Sequence, residues 1–211
     1  AGYFGYFDEA YNQRLKNILQ GYNTDWLSQP LQTAVSHQHA LTLDGGNEAF
    51  RYALHLNFNP SEGVMKKSGR DRYAVNVDLQ YRLKQFNFRN QLSYDYVKAF
   101  NSPYGSFGQY SRLNPYYRYR DEQGQYVYIL DDPGEDVYNP LWNTTLKNKD
   151  RSVYNLLTDN FSIDWWITDE WRLKASASVS VRNEEEEVFK APFHTDFKRE
   201  KDMAKRGSYD V

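Results

Sequence analysis

The residues best suited to gripping a ligand lie in one polar stretch, 101–149, where Tyr104, Phe107, Tyr110, Tyr116, Tyr117, Tyr119, Tyr126, Tyr128 and Trp142 alternate with Arg112, Arg118 and Arg120. Aromatic faces stack on the C–H surfaces of sugars and guanidinium groups fix hydroxyls, so the stretch could hold a glycan. A segment this long must also fold on itself or on a partner, and Tyr-rich surfaces are common at protein interfaces. Contact with a ligand or a partner is therefore expected at Tyr104, Phe107, Tyr110, Arg112, Tyr116, Tyr117, Arg118 and Trp142, with packing against a partner or neighbouring loops the favoured role.

Other chemical candidates are weaker. His37 and His39, two residues apart on an extended chain, could present two imidazoles to a metal, but no third ligand is near in sequence and Val35, Leu41 and Leu43 share their face. Glu184 to Glu187 resemble paired catalytic carboxylates only superficially, because neighbours on a strand point to opposite faces and cannot flank one bond. They read better as a solvated strand extension. The acidic run 131–136, DDPGED, offers oxygens to Ca²⁺, yet its spacing fits no EF-hand loop. No nucleophile with a base, and no convergent carboxylate pair, appears at any spacing. No catalytic site, metal or cofactor is expected, and the chain is not read as an enzyme.

Composition points to extended chain. Of 211 residues 26% are charged, yet 17% are aromatic, with 19 Tyr, 12 Phe and 5 Trp, residues that favour strands. The mean hydropathy is −0.88, and no apolar run of the ~18 residues needed for a spanning helix occurs. A membrane barrel is not excluded, since its strands alternate. The chain has no cysteine for a disulfide or thiolate site, and its net charge of −2 argues against a nucleic-acid partner. It opens at Ala1 without a basic, apolar, cleavable leader, so any secretion signal is expected to lie outside it or to have been removed.

The elements that must position these residues can be read from periodicity. Tyr11, Leu15, Ile18 and Leu19 predict a short helix over 8–20, capped by Asp8 and ended by Gly21. TDW at 24–26 predicts a second capped turn. From Thr33 the period becomes two. Phe50, Tyr52, Leu54, Leu56 and Phe58 share a face; Tyr73, Val75, Val77, Leu79 and Tyr81 share the next; Phe86, Phe88, Leu92, Tyr94 and Tyr96 follow, with Asn90 the only polar interruption. Phe161, Ile163 and Trp165, then Leu173, Val179 and Val181, continue the pattern. Antiparallel, meandering strands are expected near 33–44, 48–59, 70–84, 86–98, 153–168 and 171–184.

A soluble sandwich with one buried face, such as a carbohydrate-binding module, is the alternative reading; a β-sheet hydrolase is a third. Three features favour a transmembrane barrel. The segments run about 11 to 14 residues, near the length that crosses a bilayer at a tilt. Their apolar faces carry aromatics at both ends and aliphatics between. Tight connections at 44–47, 84–85 and 168–170 alternate with long polar ones at 59–70, 99–151 and after 184, the pattern of short periplasmic turns and long extracellular loops. Strands starting at Glu48, Phe86 and Trp171 would run outward. Leu54, Leu56, Val75, Val77, Leu79, Leu92, Val179 and Val181 would face lipid. Arg51, His55, Asn76, Asp78, Gln80, Arg89, Gln91 and Asp95, with Lys174, would face the lumen. Six strands cannot close a membrane barrel, whose smallest members have about eight. The chain is expected to be a fragment or to pair with further strands.

The segments QGYNTDWLSQPL (20–31), HALTLDGGNEAFRYALHLNF (39–58), EGVMKKSGRDRYAVNVDLQYR (62–82), FNSPYGSFGQYSRLNPYYRYRDEQG (100–124), NPLWN (139–143), TDNFSIDW (158–165) and HTDF (194–197), in that order, resemble the SusC/RagA family of TonB-linked outer-membrane transporters. The resemblance implies an all-β fold in the bacterial outer membrane: part of a barrel of about 22 strands with a plugged lumen. It also implies a SusD-like surface lipoprotein outside, a TonB complex supplying energy, and import of glycan oligosaccharides or peptides. The plug domain, the TonB-contacting segment and the closing strand are expected to be absent from this stretch. The implied division is a helix and turn lead-in at 1–32, strands at 33–98, an extracellular loop at 99–152, a hairpin at 153–184 and a further loop from 185 to 211, with the lumen-facing side chains bonded to the family's plug.

Overall fold

The computed structural model describes residues 2–132 and 136–211, the side chains of residues 2–6 excepted. Its elements are α1 (Gly2–Leu19), β1 (His39–Gly46), β2 (Phe50–Glu62), β3 (Gly69–Leu83), β4 (Phe86–Phe100), α2 (Phe107–Tyr110), β5 (Ile129–Leu130), β6 (Val137–Tyr138), β7 (Lys149–Trp166), β8 (Arg172–Lys190) and β9 (Ser208–Asp210). The main sheet runs β1-β2-β3-β4-β7-β8-β9, every neighbour antiparallel. β5 and β6 form a separate ribbon in the long β4–β7 connection.

The alternation sets the register. Leu43, Leu54, Val77 and Leu92 follow one another across β1 to β4 as direct partners, as do Leu41, Leu56, Val75 and Tyr94. Odd residues of β7 and β8 continue the same face, Leu157 opposite Val181 and Ile163 opposite Ala175. This whole face lacks a covering layer among the described residues: Leu43 is 50% exposed, Leu79 38% and Val179 64%. A soluble sandwich would bury these side chains against a second sheet.

The face is not wholly apolar. Asn90 was the expected interruption; Asp159, held between Leu92 and Val179, joins it, and Asn90 Nδ2 donates to Asp159 Oδ1. Nothing in the local alternation of β7 marked that pairing, which depends on the β4–β7 register.

The ends of the sheet differ from the sequence-based expectation in physical detail. The first strand was expected from residue 33 but begins at His39. His37 N–H still donates to Pro60 O (3.2 Å) and Ser36 bridges Ser61, in the same register as β1–β2. Pro60 has no N–H to return the bond, so the regular ladder stops there. The expected long loop at 59–70 shrinks to 63–68, because β2 and β3 stay paired out to Glu62 and Gly69. β8 runs to Lys190, taking the acidic run 184–187 into the strand. The tight connections lie at 47–49, 84–85 and 167–171. Lys84 (φ 50°) takes the left-handed conformation of a two-residue turn. Asn47 Oδ1 accepts from Ala49 N–H and Phe50 N–H in the first. The other end collects the long segments.

α1 begins six residues earlier than the predicted start at 8, so Asp8 sits inside it rather than capping it. Gly21 (φ 84°) ends it as predicted: Tyr22 N–H bonds Asn17 O and Gly21 N–H bonds Ile18 O, a Schellman closure. At the predicted second turn, Asp25 Oδ1 accepts from Leu27 N–H (3.1 Å) and Ser28 N–H (3.3 Å).

Candidate functional site

Two surfaces carry the chemistry: the polar face of the sheet, and a cap of loops at its long-loop end.

On the polar face, cross-strand registers make rows. Thr42 Oγ1 lies 3.1 Å from His55 Nδ1, His55 Nε2 lies 3.7 Å from Asp78, and Gln91 Nε2 donates to Asp78 Oδ1 (2.7 Å), a chain spanning β1 to β4. A second row sits near the tight turns. The Gln80 and Asn87 amides pair at 2.7 Å, Asn87 Nδ2 donates to Asp164 Oδ2 (3.4 Å) and Arg172 Nη2 donates to Asp164 Oδ1 (2.7 Å). Nearer the long loops, Arg72 donates through Nε and Nη2 to Asp95 Oδ1. The structure thus gathers His55, Asp78, Gln80, Gln91 and Asp95 into pairs. Arg51, Asn76 and Arg89 share the face without a side-chain hydrogen bond among the described residues. Such pairs satisfy polar groups where strands pack side by side.

Nothing in the sequence marks Asp164, Asn87 and Arg172 as a group. Asp164 and Asn87 are nonetheless among the buried polar residues. The alternation gives their face, but only the β4–β7 register, which places Asn87 directly opposite Asp164, reveals the cluster.

The cap holds a compact core of Trp26, Tyr110, Tyr117, Leu130 and Leu141. It is built from chain far apart in sequence. Trp26 Nε1 donates to Asn114 O (2.8 Å) and Thr24 N–H to Pro115 O (2.8 Å). Asn17 Nδ2 donates to Tyr116 O (2.9 Å) and Asp131 Oδ2 (2.6 Å), and Gln13 Nε2 to the same oxygen (2.9 Å). Arg118 N–H takes the other oxygen of Asp131 (2.8 Å). Asp131, from the acidic run weighed for Ca²⁺, therefore pins α1 to the loop; residues 133–135 of that run lie outside the described residues. The helix and turn lead-in is part of this cap.

Two predicted contact residues are corrected by this core. Tyr110 is 0% exposed, its hydroxyl donating to Tyr104 O (2.9 Å), and Tyr117 is 7% exposed, its hydroxyl donating to Asp132. Burial pushes both phenols far above their ordinary range. They hold the loop together and do not face a ligand. Phe107 and Arg112 are exposed; Tyr104, Tyr116, Arg118 and Trp142 are half-buried. Trp142 Nε1 donates to Phe193 O (3.2 Å), tying the long loop to the segment after β8.

Three keystone residues escaped notice in the sequence. Asn139, 0% exposed, donates from Nδ2 to Val127 O and Tyr119 O and accepts from Leu141 N–H. Asn143 and Thr195 form a reciprocal pair, Asn143 Nδ2 to Thr195 Oγ1 (2.7 Å) and Thr195 N–H to Asn143 Oδ1 (3.0 Å). They fall in the NPLWN and HTDF segments, whose polar side chains gave no sign of being buried. His37 and His39 rings meet edge to face at 5.0 Å and His39 stacks on Phe58. Among the described residues no group of three His, Cys, Asp or Glu converges as a metal site.

No family model matches the chain. It is 26% identical over 170 residues, 79% of its length, to TonB-dependent receptor P26 of Formosa agariphila. It is 31% identical over 77 residues to TonB-dependent receptor SusC of Bacteroides thetaiotaomicron. It spans only 17% and 8% of those two proteins. Its fold matches part of the RagAB peptide importer in the closed-closed state with a TM-score of 0.67 at 18% identity, covering 82% of this chain and 20% of that one. A second structure, of the RagAB peptide transporter, matches equally well. In sequence this chain is similar to parts of two TonB-dependent receptors, and in fold to part of the RagAB importer.

Proposed function

We propose that the chain forms part of the barrel wall and outer rim of an outer-membrane, TonB-dependent transporter that imports nutrient oligomers, glycan or peptide, together with a SusD-like surface lipoprotein. The observation that carries this reading is the uncovered apolar face shared by β1, β2, β3, β4, β7 and β8, backed by an opposite face on which many polar side chains pair. In water such a face would be a large association hazard; in hydrocarbon it is the matched surface. Strand lengths of 13 to 19 residues in β2, β3, β4, β7 and β8 exceed what a ~30 Å core needs from tilted strands, leaving their ends free to build the cap.

On this reading Arg51, His55, Asn76, Asp78, Gln80, Arg89, Gln91 and Asp95 line the lumen and bond or solvate a plug supplied by the rest of the protein. The edge at β1, and that of β8 before Val188 where β9 does not cover it, pair with neighbouring barrel strands, since unpaired backbone groups in lipid cost several kcal/mol each. The domain division follows: strands and hairpin within the wall, and the lead-in, the long loop and the segment after Lys190 on the cell surface. The chain performs no catalysis; its part is to position, admit and enclose. The RagAB neighbours and the SusC relative support a two-component importer with a surface lipoprotein.

The test is uptake. Cells whose only copy of the complete gene is deleted should lose TonB-dependent accumulation of a labelled glycan or peptide oligomer and regain it on complementation. Accumulation of every oligomer tried, unchanged by the deletion, would sink the proposal.

A further inference from the structure

The cap encloses a cleft of about 710 Å³ between the start of α2, β6 and the turn after β8, a size that suits a small ligand. Among its lining residues are Arg112, Lys198 and Arg199, from segments 87 residues apart at their extremes of position 112 to 199, with Asp136, Asp196 and Tyr138. Asp196 is already neutralised: Lys190 Nζ lies 2.6 Å from its Oδ2. By contrast, Arg112, Lys198 and Arg199 make no side-chain hydrogen bond or ion pair among the described residues. Lys198 Nζ instead stands 5.1 Å from the centre of the Tyr138 ring. Three cations thus gather round one concavity in a chain whose net charge is −2.

Arg112, Lys198 and Arg199 outnumber the two carboxylates of the same wall, Asp136 and Asp196, the latter already held by Lys190, and a concave wall focuses the field of the surplus. The walls are also rigid: the buried Asn139 fixes the β6 side, and the Asn143–Thr195 pair clamps the turn that carries Lys198 and Arg199. A cleft in which Arg112 and Arg199 make no side-chain hydrogen bond or ion pair among the described residues, with Lys198 beside them, is suited to carboxylates, which a guanidinium fork holds bidentately. The Tyr138 ring adds a face on which a sugar ring or a peptide plane can lie.

We infer that this cleft is a surface subsite for carboxylate-bearing oligomers, a uronate oligosaccharide or an acidic peptide, held by Arg112, Lys198 and Arg199 over Tyr138. This deepens the importer reading and rests on it for the ligand's arrival, though binding itself needs no TonB.

The experiment uses the complete protein in detergent and three probes: hexagalacturonate, hexaglutamate and a neutral glucan hexamer. At least one acidic hexamer should bind more tightly than the neutral one, and which does so separates glycan from peptide. The triple variant Arg112→Gln, Lys198→Gln, Arg199→Gln should weaken the acidic probe at least about tenfold, while Asp136→Asn should tighten it several-fold, a gain that misfolding cannot mimic. Equal binding of all three hexamers overturns the inference. So does an acidic affinity indifferent to both variants. TonB-dependent uptake, measured separately, reports on the importer reading alone: a cleft that binds acidic hexamers in a protein that imports nothing would leave the subsite standing and remove the transporter.

Discussion

Tyrosines on the sheet and tyrosines in the cap meet opposite fates. Tyr52, Tyr73 and Tyr81 stand out from the sheet, each more than 40% exposed, whereas Tyr110 and Tyr117 are sealed in the cap with their hydroxyls bonded. Leucines divide the same way: Leu43 is half exposed and Leu141 is 1% exposed. The cap is folded for water, with apolar groups inside. On the proposed membrane reading the sheet meets a solvent that accepts apolar groups outside, and many polar groups of its other face find partners. One chain therefore obeys two burial rules, and the boundary between them falls where β2, β4, β7 and β8 run on past the apolar band into the loops.

The largest difference should appear on truncating leucines. Leu141→Ala leaves a cavity in the cap core and should cost about 2 to 5 kcal/mol. Hydrogen exchange should show it as lost protection across 110–145, with sheet amides unchanged. Leu43→Ala on the sheet should cost a fraction of that, because lipid tails refill the space. Comparable losses at the two sites would erase the contrast.

A smaller effect is expected at the polar exception on the apolar face. Asn90→Leu strands the Asp159 carboxyl among Leu92, Val179 and its neighbours and should cost about 1 to 3 kcal/mol, the penalty of an unsatisfied polar group. Adding Asp159→Leu should restore most of the stability, measured by urea unfolding in detergent micelles. A double variant as unstable as the single one would show that the pair does more than satisfy itself.

The smallest effect is a pH response confined to the cap. Burial lowers the His194 pKa, with Lys190 acting in the same direction and Asp196 opposing them. Its Nδ1 accepts from Asp196 N–H (3.1 Å), which requires the neutral ring. A group with a depressed folded pKa contributes stability that is present above its unfolded value of about 6.5 and is lost as pH falls through the folded one. Protease nicking between 195 and 205 should therefore increase from pH 7.5 to pH 5 and stay flat in His194→Asn, whose amide can cap at either pH.

The sheet was more legible in the sequence than the cap, for a physical reason. Alternation is local, so Phe50 to Phe58 or Tyr73 to Tyr81 announce their strand and its faces from a few residues. Strand ends depend on partners: Pro60 halts a ladder in the strand beside it, and the Glu187 carboxylate, paired with Lys149 and Arg151, extends β8 beyond the expected end. The cap depends on contacts such as Asn17 with Asp131, 114 residues apart, which no window on the sequence contains. Its aromatic and basic composition suggested contact surfaces, but which rings turn inward is a tertiary fact. The loop cations Arg112, Lys198 and Arg199 are brought to one cleft by the same long-range folding.

The central claim is that the two faces of the sheet meet two solvents, and adjacent residues of β3 test it most directly. Val77 lies in the middle of the apolar face between Leu54 and Leu92; Asp78, one residue on, joins the polar row with His55 and Gln91. In the complete protein, Val77→Arg should cost about 2 to 4 kcal/mol of barrel stability if the position faces the hydrocarbon midplane. Asp78→Arg should cost much less, disturbing its polar neighbours but not insertion. The measurement is the fraction of folded barrel in outer-membrane preparations, read by heat-modifiable gel mobility. The account predicts a marked loss for Val77→Arg and near-normal levels for Asp78→Arg; equal tolerance, or the reverse order of damage, would contradict it.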